Sequence, residues 1–225
     1  RAGRAGHPLG RGRQRGLPQP AGCQVNHFGI VPDRLDATRD ALRRAAAHND
    51  LIVTSGGVSV GEEDHLRPAV LAEGRLGNWQ IAMKPGKPLA FGAVRRGGAA
   101  AAAGDAAGGG GEALFVGLPG NPVSSFVTFM LCVGTVLRTL QGLPAALPRP
   151  LPLRAAFDWP RPDKRREFMR VRLNEAGEVE LFDNQSSGVL TSALWADGLV
   201  DNPAGQPIAR GETVRYLPLA ELIAP

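Results

Sequence analysis

The sequence predicts an α/β domain followed by a small all-β domain. Three observations carry this. Strand, helix and strand patterns follow one another at βαβ spacing around residue 50, which implies a largely parallel, covered sheet. Pro144, Pro148, Pro150 and Pro152 then form a linker after the last helical pattern. Beyond that linker, apolar residues alternate with polar ones in short runs separated by turn residues.

Residues 1–21 are mostly Arg, Gly, Pro and Gln, too poor in apolar side chains to bury a core, so a disordered or aberrant segment is expected there. Val25 to Val31 reads as a short strand. Asp36 is placed to cap a helix running to about His48, with Leu42 and the alanines on its buried side. Leu51 to Ser55 is a continuous apolar strand that stops at Gly56-Gly57. The loop Gly56 to Asp64 leads into a helix ending near Glu73. Strands over Trp79 to Met83 and Leu89 to Val94 flank Lys84-Pro-Gly-Lys-Pro88, and the Ala/Gly run 95–113 reads as an inflated surface loop. Leu114 to Leu118 is another strand. Asn121 at the N-cap, Pro122 at the first helical position and Gly142 past the end bracket a helix. Strands near 165–173, 178–182 and 211–217 complete the β-rich tail.

Composition narrows the function classes. Of 225 residues, 43% are hydrophobic and 21% charged, an ordinary globular balance. Cys23 and Cys132 lie far apart, which argues against a disulfide scaffold or a zinc site built on cysteines. The most apolar stretch, Val123 to Leu137, is short and carries Ser124, Ser125, Thr128 and Thr135, so no membrane span is expected. With no initiating Met and no signal pattern, the chain reads as a piece of a longer cytoplasmic protein. The net charge of +5 is accounted for by Arg1, Arg4, Arg11, Arg13 and Arg15, since no acid occurs before Asp33. The remainder is neutral, so nucleic acid is not an expected partner.

Two glycine-rich loops sit where a strand passes into a helix. The first is Thr54-Ser-Gly-Gly-Val-Ser-Val-Gly-Glu-Glu-Asp64 and the second is Gly117-Leu-Pro-Gly-Asn-Pro-Val-Ser124. In open α/β sheets ligands bind beyond the carboxyl ends of strands, and glycines there let backbone N–H groups approach an anion. Either loop alone could be a tight turn; the pair points to a ligand bearing oxyanions. Glu62, Glu63 and Asp64 would repel such a ligand unless a divalent cation stood between them, although Asp64 could equally be a helix cap. The chain has 23 Arg and 3 Lys, yet Lys84 and Lys87 fall within one five-residue segment. That bias singles out positions requiring a compact ammonium rather than a planar fork. His7, His27, His48 and His65 have no metal-site spacing. No G-x-S-x-G frame, P-loop or G-x-G-x-x-G occurs, which disfavours a hydrolase triad, a P-loop NTPase and a Rossmann dehydrogenase.

TSGGVSVGEED, MKPGKPLAFG and LFVGLPGNPVSSFVTF, in that order, resemble the molybdopterin molybdenumtransferases, the MoeA type whose eukaryotic relative is the gephyrin E domain. RREFMRVRL and NQSSGVLTSALWADGLV resemble that family's last domain. The resemblance implies a three-layer α/β/α molybdopterin-binding domain over residues 22–142, a linker at 143–149 and a C-terminal β-barrel over 150–225. It implies insertion of molybdate into adenylylated molybdopterin with release of AMP, and Mg²⁺ as the divalent cation. By position, Asp64 matches the acid of the S-G-G-V-S-x-G-x-x-D motif and would hold the metal. Lys84 and Lys87 match lysines at the molybdate or phosphate site. Ser55, Gly56, Gly57, Ser59 and Gly61 fall in the first pterin-binding loop, and Gly120, Asn121, Pro122 and Ser124 in the second. Ser187 matches the serine of a barrel loop, where Ser186 replaces a common glycine. A homodimer, with the molybdopterin adenylyltransferase as partner, is implied as well. The family's two N-terminal domains are absent, and residues 1–21 do not resemble the stretch that should precede Cys23, including a D-S-N segment that adds a further site acid. Two alternatives keep the fold: a non-catalytic pterin-binding or scaffold module, and a molybdopterin adenylyltransferase.

Overall fold

A computed structural model describes residues 22–56, 58, 65–97, 111–145 and 147–223. The chain divides into two compact units: Gln24–Ile81 with Pro88–Gly120, and Ala82–Lys87 with Asn121–Pro225.

In the first unit, helix α1 (Leu35–His48) buries Ala41, Leu42, Ala45 and Ala46, one stripe of a helical period. Asp36 lies inside the first turn rather than at the cap. Its carboxylate takes the Arg34 guanidinium at 2.7 Å, which holds its pKa below the usual value. Strand β1 (Leu51–Ser55), helix α2 (Leu66–Glu73), β2 (Gly74–Gln80), β4 (Pro88–Arg95) and β5 (Glu112–Leu118) follow. The sheet order is β1-β5-β4-β2. Both helices pack on one face, where Leu42, Ala46, Leu66, Ala69 and Val70 meet Ile52, Ala90, Val94 and Phe115. Glu73 is fully buried, and its carboxylate accepts bonds of 2.6 Å from Arg39 and 2.6 and 2.8 Å from Arg43. One turn of α1 therefore carries both clamps on the end of α2.

Three further expectations are corrected. The strand at 25–31 does not form. Gly29 has φ +70, incompatible with an extended ladder, and Phe28 and Ile30 are exposed. The sheet is mixed rather than largely parallel. β1 and β5 are parallel, whereas β4 and β5 form a hairpin from Ala90↔Gly117 to Arg95↔Glu112, and hairpins are antiparallel. The strand placed at Trp79–Met83 instead starts at Gly74, directly after α2. A Cβ at Gly74 would lie 1.9 Å from the Ala93 carbonyl oxygen, so only glycine brings β2 this close to β4. Residues 98–110 of the Ala/Gly run lie outside the described residues.

In the second unit, the two-residue β3 (Met83–Lys84) pairs in parallel with β7 (Arg166–Leu173). Helix α3 (Pro122–Leu140) passes through a π-helical turn at Phe129–Val133. By length and composition it is apolar enough to cross a membrane, but Val123, Phe126, Val127, Met130 and Val133 are buried, so packing accounts for its composition. The remaining elements are β6 (Leu151–Arg154), β8 (Val179–Leu181), α4 (Thr191–Trp195), β9 (Gly198–Asn202), β10 (Thr213–Pro218) and α5 (Leu219–Ile223). The order β3-β7-β9-β10-β6, with β8 beside β7, closes through a bridge between Ala155, just after β6, and Val179 in β8. Met169, Val171, Val179, Val200, Val214 and Tyr216 fill the interior of this small barrel.

Candidate functional site

Two strand ends converge in the first unit. β1 and β5 are parallel neighbours with Thr54↔Gly117 and Ser55↔Leu118 in register, so their carboxyl ends lie side by side. Gly56 takes φ +89, a left-handed conformation that favours glycine, and its N–H donates to the Leu118 carbonyl at 3.1 Å. A Cβ at Gly120 would come within 3.7 Å of the Gly56 Cα. Ser55, Gly56 and Gly120 are thereby brought together, as the α/β switch-point argument requires. Val58 is buried, and Gly117 makes room for it: a Cβ there would lie 2.5 Å from Val58 Cγ1 and 3.0 Å from Ala90 Cβ. Gly117→Ala is expected to cost about 1–3 kcal/mol and to displace the loop after β1, read by thermal unfolding and by the amide resonance of Gly56. The Thr54 hydroxyl is buried without a hydrogen-bond partner among the described residues. Gly57, Ser59, Gly61 and Asp64 lie outside the described residues.

The other predicted residues belong to the second unit. Asn121 and Pro122 occupy the N-cap and first turn of α3, and Ser124 is buried in that turn. The Asn121 side chain makes no capping bond, and its Oδ1 is buried without a described partner. Pro122 has no N–H, and the Val123 N–H donates to the Ser187 carbonyl at 3.3 Å. Ser187 is thus joined to the start of α3 through its backbone, and one of the helix's free donors is already used.

Lys84 and Lys87 differ sharply. The Lys87 side chain is exposed. Lys84 Nζ lies 3.2 Å from Glu167 Oε1 and 3.5 Å from Asp163 Oδ2. Two hydrogen bonds from the Arg165 side chain and one from its backbone N–H, with Lys84 adding its charge, hold the Asp163 carboxyl well below the carboxylate range. Lys84 is therefore a compensated ammonium on a fixed base, not a bare charge.

Sequence reasoning missed Arg170, which reads as an ordinary alternating strand residue. It is 1% exposed, and among the described residues no carboxylate pairs with it. Burial pushes its guanidinium pKa down to about 10. Its Nε donates to Ser192 Oγ at 3.1 Å, and its Nη2 reaches the carbonyls of Ser186 at 3.2 Å and Asn184 at 3.5 Å. The Gln185 side chain bonds both the N–H and the carbonyl of Arg170, at 3.0 Å each. The 184–187 loop is thus tied to one residue of β7 from two directions. The sequence held no signal for this: with Met169 and Val171 on the core face, alternation places Arg170 on the other face, and only the fold shows that face covered as well.

Among the described residues no group of three or more His, Cys, Asp or Glu gathers to hold a metal ion. A single hard carboxylate such as Asp64, completed by phosphate oxygens and water, is nonetheless a donor set that suits Mg²⁺.

Known proteins resemble this chain in sequence and fold. Residues 15–139 match the model of a probable molybdopterin binding domain, and residues 152–219 that of the MoeA C-terminal region (domain IV). The molybdopterin molybdenumtransferase of Haemophilus influenzae is 33% identical over 210 residues, 89% of this chain and 47% of that protein. Gephyrin of Dictyostelium discoideum is 50% identical over 118 residues, 52% of this chain and 16% of that protein. The chain thus spans about half the length of these curated relatives or less. The crystal structure of the molybdopterin biosynthesis moeA protein from Pyrococcus horikosii shares the fold, with TM-score 0.71 and 24% identity over 94% of this chain and 47% of that one. With more than half of its residues matched to one family model and the next region following in order, the chain belongs to the molybdopterin-binding domain family and carries a MoeA-type C-terminal region.

Proposed function

We propose that this chain is the C-terminal half of a molybdopterin molybdenumtransferase of molybdenum cofactor biosynthesis. It would bind adenylylated molybdopterin and molybdate, with molybdenum passing into the pterin and AMP released. The observation that carries this reading is the meeting of Gly56 and Gly120 at the ends of two parallel strands, a place for a ligand rich in oxyanions. The molybdenumtransferase name of the Haemophilus relative supplies the chemistry.

In this reading Ser55, Gly56, Gly57, Ser59, Gly61, Gly120, Asn121, Pro122 and Ser124 are the pterin-binding residues. Lys84, Lys87 and Ser187 serve the molybdate or phosphate oxygens, and Arg170 holds the Ser187 loop. Preorganised donors of this sort stabilise charge that develops as the AMP bond breaks. Mg²⁺ held by Asp64 would offset the phosphate charge there. The domain limits 22–142 and 150–225, a homodimer, cytoplasmic residence and a molybdopterin adenylyltransferase as supplier of the nucleotide belong to the same proposal.

The second reading is a pterin-binding or scaffold module of the same fold without turnover. The MoeA-type region at residues 152–219 counts against a stand-alone adenylyltransferase. The test is AMP release from adenylylated molybdopterin and molybdate, by the chain alone and with the N-terminal domains of a relative supplied in trans. Release that disappears with Lys84→Ala supports the enzyme. Pterin binding without AMP under either condition establishes the module instead.

A further inference from the structure

The geometry points to Glu167 as the positioning residue for Lys84, an inference that rests on the proposed role of Lys84 toward an oxyanion. Glu167 is 2% exposed, in a barrel strand 83 residues further along the chain. A carboxylate so buried is stable only if its oxygens are satisfied. Its Oε2 accepts the Trp159 indole N–H at 2.9 Å and the Asp163 backbone N–H at 3.0 Å, which fixes the group in place. Its Oε1 is left for Lys84 Nζ at 3.2 Å. The parallel pairing of β3 with β7 sets Lys84↔Glu167 in direct register, so the backbone delivers both side chains to one spot.

An ammonium has three donors. One is bound to Glu167, one faces Asp163 at 3.5 Å, and the side chain remains 38% exposed, so among the described residues the last is available to a guest. A free lysine would have to give up its rotamer freedom on meeting an oxyanion, whereas this one has already done so. Glu167 therefore acts through Lys84 without touching the guest. It also compensates the charge of Lys84, so selectivity rests on where the ammonium points rather than on uncompensated attraction.

Removing the negative charge would itself favour an anion and obscure the effect. The decisive variant is therefore Glu167→Asp, which keeps the charge and withdraws the carboxylate by about 1.5 Å. Lys84, Lys87 and Lys164 are the three lysines of the chain, so a lysine-labelled sample gives three resolvable side-chain signals. In the parent chain, Lys84 is expected to show an immobilised side chain and a signal that moves on titration with molybdate. In Glu167→Asp it becomes mobile, and the molybdate dissociation constant read from that signal rises about three- to tenfold. Trp159→Phe removes one anchor of Glu167 with all charges unchanged, and is expected to act in the same direction more weakly. It carries the test should Glu167→Asp fail to fold.

A Lys84 signal equally immobile in the parent and both variants overturns the inference. So does a freed Lys84 with unchanged molybdate affinity, because the contact is then only structural. Molybdate that moves no lysine signal in the parent chain overturns the oxyanion reading of Lys84, while its hold by Glu167 is still judged from mobility.

Discussion

Arg170→Met is expected to leave the barrel folded while the 184–187 loop comes loose. Amide exchange at Val123 should accelerate more than tenfold and molybdate affinity fall about tenfold or more, since hydrogen bonds to a charged group contribute about 1.5–3 kcal/mol. The asymmetry follows from where each cost falls. Methionine fills much of the same volume and spares the desolvation of a buried cation that has no described carboxylate partner. What is lost is the donor set that gathers Ser186, Asn184 and Ser192. The released carbonyls can turn to water because Asn184 and Ser186 are already exposed. Global stability should therefore change by about 1 kcal/mol or less in either direction. Exchange measured at Val123, whose N–H donates to the Ser187 carbonyl, reports the loop separately from the melt. An unchanged Val123 exchange rate would show that Arg170 does not hold that loop.

The largest loss of stability is expected from Arg39→Ala combined with Arg43→Ala. This double variant strands the fully buried Glu73 without a counter-charge and is expected to cost about 3–5 kcal/mol, measured by denaturant unfolding. Glu73→Gln should cost less, because the two arginines are themselves partly exposed and can return to water. Burial alone would raise the Glu73 carboxyl pKa, but hydrogen bonds from Arg43 and Arg39 outweigh it and set it below the ordinary value of 4.5. A carboxyl more acidic in the folded state contributes its stability above the unfolded value and loses it as pH falls through the folded one. Stability should accordingly drop as pH is lowered below 4.5, and that slope should be shallower in Glu73→Gln.

Local patterns were legible wherever one face or one cap decides an element. The alanine stripe of α1, the apolar β1, and Asn121-Pro122 at the start of α3 with Gly142 past its end are in the structure as the sequence implies. The loops after β1 and β5 could likewise be placed at strand ends by their glycines. The apolar run at 25–31 misled because it satisfies the composition of a strand while Gly29 departs from the backbone that a strand needs.

The sequence by itself determined the kind of protein: an α/β unit, a β-rich tail, glycine-rich turns suited to anions, and a family whose motifs stand in order. Tertiary structure alone decided what those charged groups do. Lys84 meets Glu167 across 83 residues because the two-residue β3 pairs in parallel with β7 of the barrel sheet. Arg170 becomes a loop anchor because the face of β7 opposite Met169 and Val171 is covered by Ser192 and the 184–187 loop. Strand period and caps are set by neighbours along the chain. A carboxylate's partner is set by which distant strands come to lie side by side, and a single sequence carries no local sign of that.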